Sequence, residues 1–369
     1  MLISLASFIY KNAAKPVFFL FDPEFVHESI TSLGEFVGKT PAKNIANAVY
    51  GKKSAAIKQT LLGITFESPM GLAAGFDYEA KLTQILPELG FGFQTVGTIT
   101  NNAYDGNPRP RLGRLPKSKS LMVYKGFKNR GATWTAEKLG KKTFKIPIGI
   151  SIGKTNDRTT NTQKSAIMDI LQAFAVFEKA NIKNAYYELN ISCPNLFGNV
   201  TFYPPKNLDE LLSAVDLIRI KKPIFIKMPI DQTNEQTRKM LDVIVKHKVA
   251  GVIFGNLQKD RTNPAIDQTE VKKFKNGNFS GLPTQKRSDE LILLAYKKCK
   301  GKLLIIGCGG VFSPKDAYRK IKLGANLVQL ITGLIYEGPM LVAKINQELP
   351  KLLEKDGYKN ISEAVGTLN

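Results

Sequence analysis

Leu303–Gly310 reads LLIIGCGG, four aliphatic residues followed by a glycine-rich end. An apolar run this short and this continuous suits a strand buried on both faces, as in parallel sheets. Its glycines would let a ligand approach the backbone where the strand stops. Seven more runs of the same kind recur from about residue 70 onward. They are Gly71–Gly75 (GLAAG), Phe93–Thr98 (FQTVGT), Pro147–Gly153 (PIGISIG), Tyr186–Ser192 (YYELNIS), Pro223–Pro229 (PIFIKMP), Gly251–Asn256 (GVIFGN) and Leu327–Thr332 (LVQLIT). Stretches of helical period separate them, at 162–181, 207–220, 232–247, 286–300 and 314–323. Asn207-Leu-Asp-Glu and Ser313-Pro-Lys-Asp read as helix starts, a capping residue ahead of acidic ones.

Eight buried strands with crossover helices predict an α/β fold, the closed (β/α)8 TIM barrel. An open doubly wound sheet is the competitor. The count of eight and the lack of a G-x-G-x-x-G opening favour the barrel. The chain has 369 residues, enough for a barrel of about 250 and a short N-terminal helical extension. The expected division is 1–40 for the extension and 41–369 for the barrel. Three connections are long: 99–146, Cys193–Lys206 and Leu257–Thr284. Long loops on one barrel face usually build the active site.

The net charge is +22. The lysines are scattered, with no arginine-rich arm and no zinc-finger spacing, so a nucleic-acid partner is not expected. An anionic membrane surface, anionic ligands or a generally lysine-rich composition all fit the charge. Three cysteines (Cys193, Cys299, Cys308) match no metal or redox spacing, and two histidines leave little for a metal site or a Ser-His-Asp triad. No metal is expected. Leu2–Tyr10 and Pro16–Phe21 are apolar, but Lys11, Lys15 and Pro16 break the run short of the roughly 20 residues a spanning helix needs. The segment reads either as an amphipathic helix lying on a bilayer or as a helix packed on the barrel.

Polar and glycine residues gather at the strand ends. Gly307-Cys-Gly-Gly310 and Ile331-Thr332-Gly333 together read as a phosphate cradle after strands seven and eight. Lys227, inside PIFIKMP, is costly to bury alone. It reads as a cation beneath a flavin ring, as the partner of a buried carboxylate, or as an imine-forming amine.

The sharpest local motif is Asn190-Ile-Ser-Cys-Pro-Asn195. With Asp22-Pro-Glu…His27, Gly71-Leu-Ala-Ala-Gly-Phe-Asp77, Asn107-Pro-Arg-Pro-Arg111, Ser280-Gly281 and Gly307–Gly310, it makes nearly the whole chain resemble the dihydroorotate dehydrogenase family. The resemblance implies FMN as cofactor, dihydroorotate as substrate, orotate as product and a quinone as electron acceptor, in pyrimidine biosynthesis. It implies that Ala74, Gly75, Thr98, Ser151, Asn190, Lys227, Gly255, Gly281, Gly310, Ile331 and Thr332 hold FMN. Asn190, Asn195, Asn256, Gly126, Phe127 and Lys125 would bind the pyrimidine. Cys193 falls at the catalytic base, which takes a proton from C5 while a hydride leaves C6 for the flavin. A polar or cationic site is expected to lower that thiol's pKa.

The extension resembles the quinone-dependent, membrane-associated branch, implying a peripheral enzyme on the cytoplasmic side of the cell membrane. The cysteine base resembles the soluble branch. The pyrimidine site departs from the family pattern at Tyr78 for lysine, Val123 for asparagine and Leu257 for threonine. The flavin site departs at Ser151 for asparagine and Gly255 for threonine. Lys125 or Arg130 could compensate for the missing cation. The alternatives are an FMN oxidoreductase of the same fold acting on another cyclic amide or enone, and a degenerate flavin-binding protein.

Overall fold

A computed structural model describes residues 2–198 and 200–368. Eight parallel strands close into a barrel: β1 (Met70–Leu72), β2 (Phe93–Ile99), β3 (Ile148–Ile152), β4 (Tyr186–Asn190), β5 (Ile224–Met228), β6 (Gly251–Phe254), β7 (Leu304–Cys308) and β8 (Leu327–Leu330). Each pairs with its sequence neighbours, and β8 returns to β1. All eight expected strands are present. Most of them stop short of the apolar run at its C-terminal end, because there the backbone leaves the ladder to build the site.

Side chains alternate along a strand, so every second residue enters the barrel. The lowest inward layer is an aromatic plug, with Phe66 edge-on to Phe93 at 5.5 Å and Tyr186 edge-on to Phe225 at 5.5 Å. Small residues make the room. A Cβ on Gly71 would sit 2.4 Å from the Phe93 ring, and one on Gly149 would sit 2.1 Å from Tyr186. Above the plug, Gln329 Nε2 donates to Thr95 Oγ1 at 2.8 Å, and that hydroxyl shares a hydrogen bond with Tyr186 at 2.8 Å. Above that lies the level of Ser151, Glu188 and Lys227. The plug makes the interior a core rather than a pore, and chemistry is confined to the C-terminal mouth.

The outer helices begin where side chains cap them. Thr162 and Ser165 form a reciprocal box at Gln163–Lys179, Thr233 and Gln236 another at Asn234–Ile244, and Ser313 accepts from Asp316 N at 3.2 Å before Pro314–Lys322. The expected start at Asn207 is corrected. That helix runs Pro205–Leu217, and Asn207 lies inside its first turn with Nδ2 bonded to the Thr201 carbonyl at 3.0 Å. Proline tolerates the first helical position because its missing N–H would be unpaired there anyway.

The connection after β2 supplies Leu112–Leu115 and Ser120–Val123, which pair antiparallel, and the connection after β6 adds Asn278–Phe279 to the same small sheet. Two of the three long loops are thus fastened together over the barrel mouth. The chain begins with α1 (Leu2–Ile9), a π-helical turn over Tyr10–Ala14, and α2 (Lys15–Leu20) in unbroken helical backbone. Asp22 caps α3 (Pro23–Lys39), and α4 (Lys43–Tyr50) follows. Pro16 does not end the helix, because it falls in the first turn after the π segment. Among the described residues, no helix is long and apolar enough to cross a membrane.

Candidate active site

A cavity of about 600 Å³ lies between the barrel mouth and helices α2 and α3. It brings together every residue expected at the site except Ser151. Ala74 and Gly75 come from the end of β1, Thr98 from β2, Asn190 from β4 and Lys227 from β5. Gly255 and Asn256 follow β6, and Gly310, Ile331 and Thr332 follow β7 and β8. Gly281, Cys193, Asn195, Lys125, Gly126 and Phe127 line the same space from the loops above.

Ser151 does not line the cavity and lies in the layer beneath it. It is fully buried, shares a 2.8 Å hydrogen bond with the Thr98 hydroxyl, and donates to Glu188 Oε1 at 2.7 Å. Asn190 Nδ2 donates to Thr98 Oγ1 at 2.8 Å from the other side. Lys227 Nζ stands 3.8 Å from Glu188 Oε1, both side chains almost without exposure. The reading of Lys227 as the partner of a buried carboxylate agrees with this pair, and the residue also lines the cavity. Glu188 was not expected. The sequence signal was present, since Glu188 lies two residues before Asn190 in YYELNIS and shares its inward face.

Glycine turns border the cavity near the ends of β7 and β8. Gly310 has φ +69° and a Cβ there would fall 2.3 Å from Gln285, while Gly281 has φ +79° and faces Thr332. Ser280 and Thr332 hydroxyls share a 2.8 Å hydrogen bond beside them. At Gly75, with φ +112°, the nearest atom to a Cβ is Ile331 Cδ1 at 3.7 Å, so the space above β1 is open. Gly255 explains the missing threonine. With φ +139°, its Cβ would stand 1.9 Å from the Cys308 carbonyl oxygen, so only glycine fits.

The loop carrying Cys193 is tied down around the thiol. Asn195 Nδ2 donates to the Val123 carbonyl at 3.0 Å and its Oδ1 accepts from Asn278 at 2.7 Å. Asn107 Nδ2 donates to the Asn195 carbonyl at 2.9 Å, and Lys154 Nζ to the Phe197 carbonyl at 3.2 Å. Asn256 bonds the Ser192 hydroxyl. The thiol's pKa is a correction. Burial pushes Cys193 up to about 12, outweighing the Asn195 N–H and the lysines at 154, 259 and 227.

Towards the extension the lining becomes apolar, with Phe18, Phe19, Val26 and Ile30. His27 lies among them, stacked on Tyr78 at 5.4 Å. Its Nε2 bonds the Phe76 carbonyl at 2.7 Å, and its Nδ1 is buried without a partner. Burial and the nearby Lys125 push its pKa down to about 3, so the ring is neutral. Glu24 was likewise quoted only as part of a motif. It lies within reach of Arg109, Arg111, Lys125 and Lys128, at 3.2–3.8 Å.

A family model described as dihydroorotate dehydrogenase matches residues 56–353. The chain is 34% identical to a dihydroorotate dehydrogenase (quinone) of Trichodesmium erythraeum, over 98% of this chain and 99% of that protein. It is 36% identical to one from a Sulfurovum species, over 97% and 98%. A crystal structure of DHODH from Eimeria tenella with ferulenol superposes with a TM-score of 0.82 at 27% identity, over 94% of this chain and 95% of that one.

Proposed function

The chain belongs to the dihydroorotate dehydrogenase family, and we infer that the cavity at its barrel mouth is where it oxidises dihydroorotate to orotate, with a quinone as acceptor. It is a flavin-dependent oxidoreductase of the CH–CH group. Our reading of the flavin as FMN rests on the paired glycine turns at Gly281 and Gly310 with Thr332, which suit a single terminal phosphate. FMN, when bound, supplies the acceptor for the hydride from C6.

The chain's own residues supply the rest. Lys227, on its Glu188 support, offers positive charge to the ring from beneath. Asn190, braced by Thr98, would contact both flavin and substrate. Asn195 and Asn256 present amides to the pyrimidine. Cys193 takes the C5 proton. We place the quinone's path along the apolar lining of α2 and α3, and the extension against the cytoplasmic face of the cell membrane. The support for the membrane reading is a run of exposed apolar side chains: Leu2, Leu5, Phe8 and Ile9 on α1, Leu20 on α2, Phe25, Leu33 and Phe36 on α3. Such a surface exceeds what scattered exposure explains.

The convergence of all the expected residues but Ser151 on one cavity carries this reading. A second reading, oxidation of another cyclic amide or enone, draws on Tyr78, Val123 and Leu257, which line the same cavity without the family's polar groups. Steady-state turnover separates the two. With dihydroorotate and a short-chain quinone, orotate should accumulate. No orotate, with the flavin still reduced by other cyclic substrates, would favour the second.

A further inference from the structure

Four cationic side chains reach the cavity: Arg114, Lys125, Lys128 and Lys227. Three are engaged. Arg114 donates to the Phe21 carbonyl at 2.7 Å and lies over the Phe19 ring. Lys128 bridges Glu28 at 2.7 Å and Glu24 at 3.2 Å. Lys227 faces Glu188. Lys125 is buried, yet its hydrogen bond goes to a neutral group, the Tyr78 hydroxyl at 3.0 Å. Its nearest carboxylate oxygen, on Glu24, is 3.8 Å away and is shared with Lys128 and Arg111. An ammonium has three donors; Lys125 gives one to Tyr78, whose ring centroid lies 4.4 Å away, which leaves donors for an anion in the cavity.

Lys125 also stands in the right place. It precedes Gly126 and Phe127, both with left-handed backbone, which turn the chain over the mouth. Two residues before it, the Val123 carbonyl holds Asn195. Resting on the dihydroorotate reading, we propose that Lys125 takes the substrate's carboxylate in this chain, and that Glu24 of the N-terminal extension positions it. Glu24 and His27 lie one turn apart on α3 and so share a face. Glu24 closes on Lys125, and His27 stacks on the Tyr78 ring that carries it. The extension thereby forms one wall of the substrate site, and substrate affinity depends on a residue outside the barrel.

The charges around Lys125 give the assignment a pH signature. Burial pushes its pKa down to about 8; Glu24 and Glu28 on α3 oppose that, and Lys128 and Arg111 add to it. Tyr78 and His27 face it uncharged at neutral pH, since burial raises the one pKa and lowers the other. Anion affinity is therefore present below about pH 8 and is lost as pH rises through the ammonium's pKa. Removing Glu24 takes away the main opposing charge and moves that loss to lower pH.

Orotate binding to the flavin-loaded enzyme, followed by the flavin absorbance, tests both halves. Lys125→Met should weaken orotate about 10- to 100-fold, the range for losing a hydrogen bond between charges, and raise KM for dihydroorotate more than it lowers kcat. Lys125→Arg should keep the affinity and abolish its loss above pH 8, because a guanidinium stays protonated. Glu24→Gln should shift the loss to lower pH, and Glu24→Asp should restore it. A parent enzyme that binds no orotate would overturn the dihydroorotate reading together with this one. Orotate bound normally by Lys125→Met would overturn the lysine assignment alone, and an unmoved pH dependence in Glu24→Gln would overturn the positioning role.

Discussion

Burial raises the Cys193 thiol's pKa to about 12, against the lowering by the Asn195 N–H and by Lys154, Lys259 and Lys227. In the proposed role of base, the thiol acts only when deprotonated, so the rate should gain with pH. At saturating dihydroorotate, flavin reduction should climb through pH 9 and 10; a plateau near the free-thiol value of about 8.5 would show that burial does not hold the thiol protonated, and a rate that does not change with pH over this range would show that another group is the base. Cys193→Ala should retain flavin and lose about 10²- to 10⁴-fold in reduction rate, the usual weight of a general base, measured by stopped flow. Lys227→Met should destabilise the protein by about 3–5 kcal/mol in urea unfolding, because it strands Glu188 without a counter-charge. Adding Glu188→Gln should recover most of that loss. The sequence made Lys227 visible as a charge in an apolar run. It left Glu188 unread, since pairing across β4 and β5 depends on register, which sets Asn190 beside Lys227.

At the scale of elements, the extension is the part whose role depends most on surroundings. Phe8, Leu20 and Phe36 are 65%, 83% and 66% exposed. Each fully buried side chain of this size contributes roughly 1.5–3 kcal/mol. The triple substitution Phe8→Glu, Leu20→Glu, Phe36→Glu should therefore weaken binding to anionic vesicles by at least about 100-fold, while reduction of a soluble dye by dihydroorotate stays near parent level. Equal loss in both assays would mean that these side chains serve folding instead. The barrel strands were legible because burial on both faces leaves a continuous apolar run. The small sheet joining Leu112–Leu115, Ser120–Val123 and Asn278–Phe279 was not, since its strands are two to four residues long and meet across more than 150 positions of sequence. The π turn at Tyr10–Ala14 left no pattern either; Tyr10 reaches across to the Ile335 carbonyl at 2.8 Å, a tertiary contact.

For the whole molecule, the barrel gives the reaction a closed floor and an open mouth. The aromatic plug at Phe66, Phe93, Tyr186 and Phe225 seals one end, and the loop sheet with α3 roofs the other. A flavin bridging several strand ends binds the folded barrel and not the unfolded chain. At a thousandfold excess over its Kd, FMN should add about 4 kcal/mol of stability, read as a rise in Tm that Gly310→Val abolishes. The account turns on a flavin lying across that mouth with Cys193 on its substrate side. Anaerobic mixing of the flavin-loaded enzyme with dihydroorotate, without quinone, tests this most directly. The flavin band should bleach in a single turnover, yielding one orotate per flavin. A band that dithionite bleaches and dihydroorotate leaves untouched would contradict it.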